Sequence, residues 1–309
     1  MAQKNRNRLL KRLRNDSLLY IMFIPVLAWY LIFCYVPMTG IVLAFKNFKF
    51  DGGIWGSPWV GIRNFRKMLR DRDFLQAVRN TLIIGIGGIV FQMPCAIALA
   101  ILINEVKGKW NKKIYQTIVT FPHFISWVTL SGLFIQLLSP SSGPIAAITT
   151  AFGGTPYYFM GRVETFRWVL VVTNIWKSVG WGSIIYLAAL SGVDQEMYEA
   201  ALIDGATRFQ RVWYITLPSI FPTITIMLIL QSGSILNDNF DQVYNMMNDA
   251  VYRVANVLGV YTYDLGLKNL SNAGLAKSTA VGLFKNVIAL ILVLTTNAIS
   301  KKISDNGIW

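Results

Sequence analysis

The chain has 309 residues, 54% of them hydrophobic and only 14% charged, with a formal net charge of +14 and a mean hydropathy of +0.47. A soluble domain carries about a quarter charged residues, so this composition excludes an ordinary soluble enzyme. One bilayer crossing needs roughly 20 mostly apolar residues, and six such runs stand near Leu18–Val36, Asn80–Ile103, Ile114–Leu138, Trp168–Leu190, Leu217–Leu236 and Thr279–Ile299. The runs are continuous rather than alternating, which predicts an all-α bundle of six transmembrane helices and excludes a barrel.

Lys4, Arg6, Arg8, Lys11, Arg12 and Arg14 precede the first run, so residues 1–17 form a basic N-terminus and 18–309 the membrane domain. That run is too long for a signal-peptide core and no A-x-A pattern follows it, so it is expected to remain as a helix. Lys107, Lys109, Lys112 and Lys113 fill the second loop, and Lys301 and Lys302 follow the last run. With alternating spans these cations share one side, which the positive-inside rule reads as cytoplasmic for both termini. The same placement argues against nucleic acid as the partner of the positive charge. The segment from Pro37 to Arg79 is external on this scheme yet holds eight cations, Lys46, Lys49, Arg63, Arg66, Lys67, Arg70, Arg72 and Arg79. Phe65, Met68, Leu69 and Leu75 keep helical spacing there, which predicts an amphipathic helix resting on the outer membrane surface.

Gly85-Ile86-Gly87-Gly88 lies within the second run, where close helix packing explains it better than phosphate binding. No G-x-x-x-x-G-K-[ST] segment occurs, so the chain has no P-loop for ATP. Cys34 and Cys95 fall in apolar runs and read as small packing residues, and the lone His123 excludes a histidine-rich metal site. In the third run Pro122 is followed by His123, Ser126 and Trp127, either a piece of a translocation path or a simple proline kink. Lys177 lies about 10 residues, or about 15 Å, into the fourth run. A charge at that depth marks a pathway or an ion pair. It either lines a cavity, with Trp176 and Trp181 offering faces to pyranose rings, or pairs with a carboxylate of this chain or of a partner. Gln92, Asn174 and Gln231 read as polar glue between helices.

Between the fourth and fifth runs, loop 191–216 encodes a short helix. Asp194 suits its N-cap and Gly205 its stop, with Met197, Ala200 and Ala201 available to one face. Thr207 and Gln210 have capping-box spacing, and Pro218 suits the start of the fifth span. Asp204 opposes the helix dipole and calls for a cation, Arg208 or one on a partner. The loop is either a docking helix for a soluble partner or an interfacial helix without one. Asn237, Asp238, Asn239 and Asp241 cluster at the outer end of the fifth run, at a cavity mouth or a partner surface, and have no EF-hand spacing for calcium. External segments Gly143–Gly161 and Asn239–Ala276 are the expected partner footprint. Lys285 lies near the outer end of the last run and is expected to snorkel out.

Glu199-Ala200-Ala201, then Gly205, then Ile215-x-Leu217-Pro218 resembles the signature of binding-protein-dependent ABC-importer permeases of the maltose type. Trp176-Lys177-Ser178-Val179-Gly180-Trp181, Tyr35-Val36-Pro37-Met38, Ala280–Lys285 and the closing Gly307-Ile308-Trp309 look like its polysaccharide- and oligosaccharide-uptake branch. Gln195 stands where that branch commonly has a proline. The resemblance implies a type I permease bundle of six spans, paired with a homologous second permease, two ATPase subunits and an extracytoplasmic solute-binding protein. It implies a non-catalytic subunit for a carbohydrate in the cell membrane, with ATP and Mg held by the ATPases and no cofactor or metal in this chain. The helix Met197–Gly205 becomes the coupling helix, with Glu199, Ala200, Ala201, Asp204, Gly205, Leu217 and Pro218 as coupling positions. The candidate sugar path comprises His123, Ser126, Trp127, Trp176, Lys177, Trp181, Asn237 and Asp241. A membrane-embedded enzyme would need convergent acids, histidines or a metal at one depth. A secondary transporter would need coupling-ion acids in two repeats. The spans offer neither.

Overall fold

Sustained apolar runs with few strand breakers give helices along the whole chain in the computed structural model, which describes residues 16–268, 271–304 and 307. The cations Lys4–Arg14 and the closing Ile308-Trp309 lie outside these. Helix α1 (Ser17–Tyr30) continues through a π-turn and shorter turns to Phe45. Then come α2 (Arg63–Leu69), α3 (Arg72–Glu105), α4 (Lys109–Thr120), α5 (Trp127–Leu137), α6 (Pro144–Ala151) and α7 (Val163–Ser191). The second half holds α8 (Gln195–Ile203), α9 (Arg208–Arg211), α10 (Leu217–Gly233), α11 (Phe240–Met246), α12 (Leu258–Tyr263) and α13 (Asn272–Ser304). No strand forms among the described residues beyond an isolated bridge between Lys46 and Trp59.

Four helical stretches, Ser17–Phe45, Arg72–Glu105, Arg208–Gly233 and Asn272–Lys302, are each long and apolar enough to cross a membrane. They contain the first, second and sixth expected runs, and the fifth as far as Gly233. The third run is not one straight span, because α4 with its last turn meets α5 at 96°. Pro122 lacks an N–H to extend the helix, Ile125 is extended (φ −80°, ψ 135°), and the Ser126 hydroxyl restarts the chain by accepting the Thr129 N–H at 3.2 Å. The fourth run lies in the 29-residue α7, where Asn174, Lys177 and Ser178 dilute the apolar character. Helix α7 is the central one, packed on α3, α4 and α10.

Glycine sets two of these contacts. A Cβ at Gly180 of α7 would strike the Val119 carbonyl of α4, and one at Gly85 of α3 would strike the Ile235 carbonyl. The expected restart at Pro218 does not occur. The helix runs unbroken from Arg208, because the π-turn Val212–Thr216 widens the backbone just before the proline, where its ring and missing donor would disturb a regular turn.

The apolar clusters fix which ends lie together. Phe74 of α3 packs with Leu258 and Tyr261 of α12 and Val281 of α13 at one end. Ala100 and Ile103 lie at the far end of α3, where Ala100 packs with Leu190 of α7 and Ile220 of α10. Segment 46–72 forms a small cap at the first end and does not simply rest on a membrane surface. Its Met68 is fully buried, Phe45 stacks on Trp59 at 5.6 Å, and the Asn64 amide donates to the carbonyls of Ala44 and Lys46, both at 2.9 Å. The expected amphipathic stretch breaks at Asp71, whose carboxylate accepts the Asp73 N–H and starts α3, so Leu75 belongs to the next helix. The two cysteines are free, Cys34 half-buried and Cys95 exposed on the surface of the chain.

Candidate functional site

The polar residues of three spans converge on one cleft. Helices α3, α7 and α10, with the turn after α10, enclose a cavity of about 260 Å³. Gln92, Asn174, Ser178, Gln231, Ser234 and Asn237 line it, with Asp238 and Asn239 at its end. An amide chain crosses it: Asn239 Nδ2 donates to Asn174 Oδ1 at 3.0 Å, and Asn174 Nδ2 to Gln92 Oε1 at 3.0 Å. The Ser178 hydroxyl joins the same Asn174 oxygen at 3.3 Å. Gly85 and Gly88 form part of the wall, so the absence of side chains there both lets the helices close and leaves room. Asp238 is anchored, its Oδ2 accepting the Gly259 N–H at 2.6 Å and the Thr81 hydroxyl at 3.5 Å. The site offers hydroxyl and amide donors and acceptors around an open space, which is chemistry suited to hydroxylated solutes.

The candidate path residues do not form one group. Asn237 lines the cleft, whereas Asp241 is exposed in the first turn of α11. His123, Trp127, Lys177 and Trp181 meet instead at the break between α4 and α5. The buried Lys177 Nζ donates to the carbonyls of His123 at 2.7 Å, Ile125 at 2.5 Å and Pro122 at 3.4 Å. It also lies 5.5 Å from the Trp127 ring. No carboxylate pairs with it among the described residues. Its charge is held by carbonyls at the end of the α4 turn, which need donors there; that of Pro122 also accepts the Ile125 N–H at 3.2 Å. His123 stacks flat on Trp181 at 4.6 Å, Ser126 caps α5, and Trp176 turns elsewhere, edge-on to Phe134 at 5.7 Å. Gln92, Asn174 and Gln231, read from the sequence as glue, are cleft residues. Their signal was an uncharged amide side chain within each of three apolar spans.

The second feature lies at the opposite end. Asp194 Oδ1 accepts the Glu196 N–H at 3.0 Å and opens α8. Gly205 takes φ +79°, with Gly205 N–H on Leu202 O at 3.1 Å and Ala206 N–H on Ala201 O at 2.8 Å. This is a Schellman stop, for which glycine is preferred because it has no Cβ penalty at positive φ. Thr207 and Gln210 then exchange both capping-box bonds, and Tyr198 Oη lies 3.0 Å from Thr216 Oγ1, tying α8 to the π-turn. No residue of α8 is buried. Ala201 turns partly inward with Tyr198, while Met197, Glu199 and Ala200 face out. Ile203 and Phe209 are 87% and 88% exposed, a pronounced apolar ridge on a polar loop. Asp204 has no ion pair among the described residues, so Arg208 does not neutralise it.

A helical membrane protein with a polar cleft between its spans, and an exposed capped helix at the other end, has the build of a transport permease subunit. The chain belongs to the family described as binding-protein-dependent transport system inner membrane component, whose model matches residues 92–305. It is 40% identical to Protein LplB of Bacillus subtilis over 297 residues, 96% of this chain and 92% of that protein. It is 39% identical to the polygalacturonan/rhamnogalacturonan transport system permease protein YteP of the same organism, covering 99% and 95%. A solved bacterial ABC transporter involved in the import of the acidic polysaccharide alginate contains a similar chain, with TM-score 0.86, 39% identity and coverage of 96% and 99%. The same fold recurs in the bacterial alginate ABC transporter complexed with an alginate pentasaccharide-bound periplasmic protein, with TM-score 0.87, 38% identity and coverage of 97% and 100%.

Proposed function

We propose that this chain is one permease subunit of an ATP-driven importer for an oligo- or polysaccharide, with a homologous second permease completing the path. Two ATPase subunits, holding ATP and Mg, dock on the cytoplasmic side against α8, and an extracytoplasmic solute-binding protein delivers the sugar to the opposite face. The chain itself catalyses no reaction, and both its termini are cytoplasmic. The observation that carries this reading is the exposed, doubly capped helix α8 with its unpartnered Ile203–Phe209 ridge. It is joined by one continuous helix to the residues that wall the polar cleft. The relatives' names, one a polygalacturonan permease and one an alginate importer, support a saccharide with sugar acids. Helix α1, with none of its residues buried, supports a second transmembrane partner. A conformational change requires differential binding to two states, and ATP closure of the docked ATPases supplies it.

Co-purification tests the proposal. The intact chain should bring down a second permease and an ATPase, and Gly205→Asp should release the ATPase or uncouple its hydrolysis. Recovery of the chain alone, with and without the substitution, would defeat it.

A further inference from the structure

A second cavity, of about 500 Å³, adjoins the cleft on the side of α13. Asn237 lines both spaces, so they are neighbours through one side chain. The second is bounded by Phe240, Tyr263, Thr262, Ser278, Lys285 and Asn286. Three aromatic rings are packed together beside it. Phe240 and Tyr244 stack at 5.2 Å, and Tyr263 lies 5.4 Å from Phe240 and 5.0 Å from Tyr244.

Lys285 is half-buried in this wall and makes no ion pair among the described residues. The carboxylate of Asp238 lies within its field, and that carboxylate already accepts from the Gly259 N–H and the Thr81 hydroxyl. The ammonium therefore keeps its donors unassigned in the cavity wall, and does not snorkel clear of the protein as its sequence position suggested. An aromatic platform, a free cation and amide and hydroxyl groups around one space match the surface of a uronic acid. The apolar face of the pyranose meets the rings, and the carboxylate meets the lysine.

Building on the saccharide-importer reading above, we infer that this cavity is a subsite for an acidic sugar residue, with Lys285 binding the carboxylate and Phe240 and Tyr263 supporting the ring. Lys285 then selects charged over neutral saccharide, while the amide-lined cleft binds hydroxyls of either.

The test uses the whole importer, with its second permease, ATPases and binding protein, reconstituted in vesicles. Uptake of tetragalacturonate and of its carboxyl-reduced counterpart is measured, and the readout is their ratio. Loss of a charge-assisted hydrogen bond predicts that Lys285→Met lowers the acidic-to-neutral ratio at least about tenfold, with Lys285→Arg restoring most of it. Should the methionine variant fail to assemble, Asn286→Asp sets a negative charge at the same wall and must lower the ratio in the same direction. Wild-type uptake with an unchanged ratio in the assembled variants overturns the subsite alone. Uptake of neither saccharide by the assembled wild type overturns the importer reading and the subsite with it. A loss that follows the phosphatidylglycerol content of the vesicles, and not saccharide charge, would assign the cavity to a lipid headgroup and likewise overturn it.

Discussion

Replacing Lys177 by methionine should break the fold at the bend between α4 and α5 and leave saccharide selectivity alone. Methionine keeps most of the volume and removes the charge together with the donors. Two short bonds vanish, to His123 O at 2.7 Å and Ile125 O at 2.5 Å, and the longer one to Pro122 O at 3.4 Å goes with them. A buried acceptor left unpaired costs about 1–3 kcal/mol, so the two short contacts represent roughly 2–6 kcal/mol. Removing a buried charge recovers part of that, leaving a net loss of about 2–3 kcal/mol. Lys177→Arg keeps donors in reach and should restore most of the stability. The assay is thermal unfolding of the purified importer in nanodiscs, beside transport of acidic and neutral saccharides. A methionine variant of unchanged stability with altered saccharide preference would refute the structural role and return Lys177 to the sugar path.

Three further outcomes follow from individual contacts. Gly180→Ala places a Cβ against the Val119–Thr120 backbone and should destabilise by about 1–3 kcal/mol; Gly132→Ala, with open space around it, is the control, and equal melting temperatures would contradict the close approach of α7 and α4. Thr207→Ala removes the capping box and should cost about 0.5–2 kcal/mol, read as faster proteolysis at loop 191–216; unchanged cleavage would mean the box is dispensable. Tyr261 donates to Asp71 Oδ2 at 2.9 Å, and burial, then this bond and the negative charge of Asp71, raise its pKa above the usual tyrosine value. Its contribution is complete below about pH 10 and is lost as pH rises through the folded value, so the stability gap to Tyr261→Phe should narrow above pH 10, and a gap that widens there would reverse the assignment.

The capped loop 191–216 was legible in the sequence because its determinants are local. Asp194, Gly205, Thr207 and Gln210 act on backbone groups two to five residues away, and all four adopt the expected geometry. The cleft was not, because Gln92, Asn174 and Gln231 are scattered over three helices and each alone is indistinguishable from a helix–helix contact. Lys177 shows a different limit. A search for its partner among side chains looks for carboxylates, whereas its partners are carbonyls that every residue carries and that only a broken helix exposes. The bend itself was half-legible, since Pro122 announces an interruption but not an angle of 96°. Pro218 misled in the opposite sense, because a π-turn absorbs it without ending the helix.

That unbroken helix bears on how the two ends communicate. From the capping box at Thr207 it runs through Gly233, 26 residues from Arg208, or about 39 Å at 1.5 Å per residue. Its π-turn is tied to α8 by Tyr198 and Thr216, and Gln231 in its last turn, with Ser234, Ile235 and Asn237 just beyond its end, walls the cleft. Packed side chains and backbone hydrogen bonds resist bending, so in the importer proposed above a displacement of α8 by its docked partner would be carried along this rod to the cleft wall. The π-turn and Pro222 are where the rod can flex, since each interrupts the regular ladder of hydrogen bonds. The chain therefore places its compliant points in the first half and middle of the rod and its regular stretch beside the cleft. That arrangement transmits a push, where a flexible joint at the cleft would dissipate it.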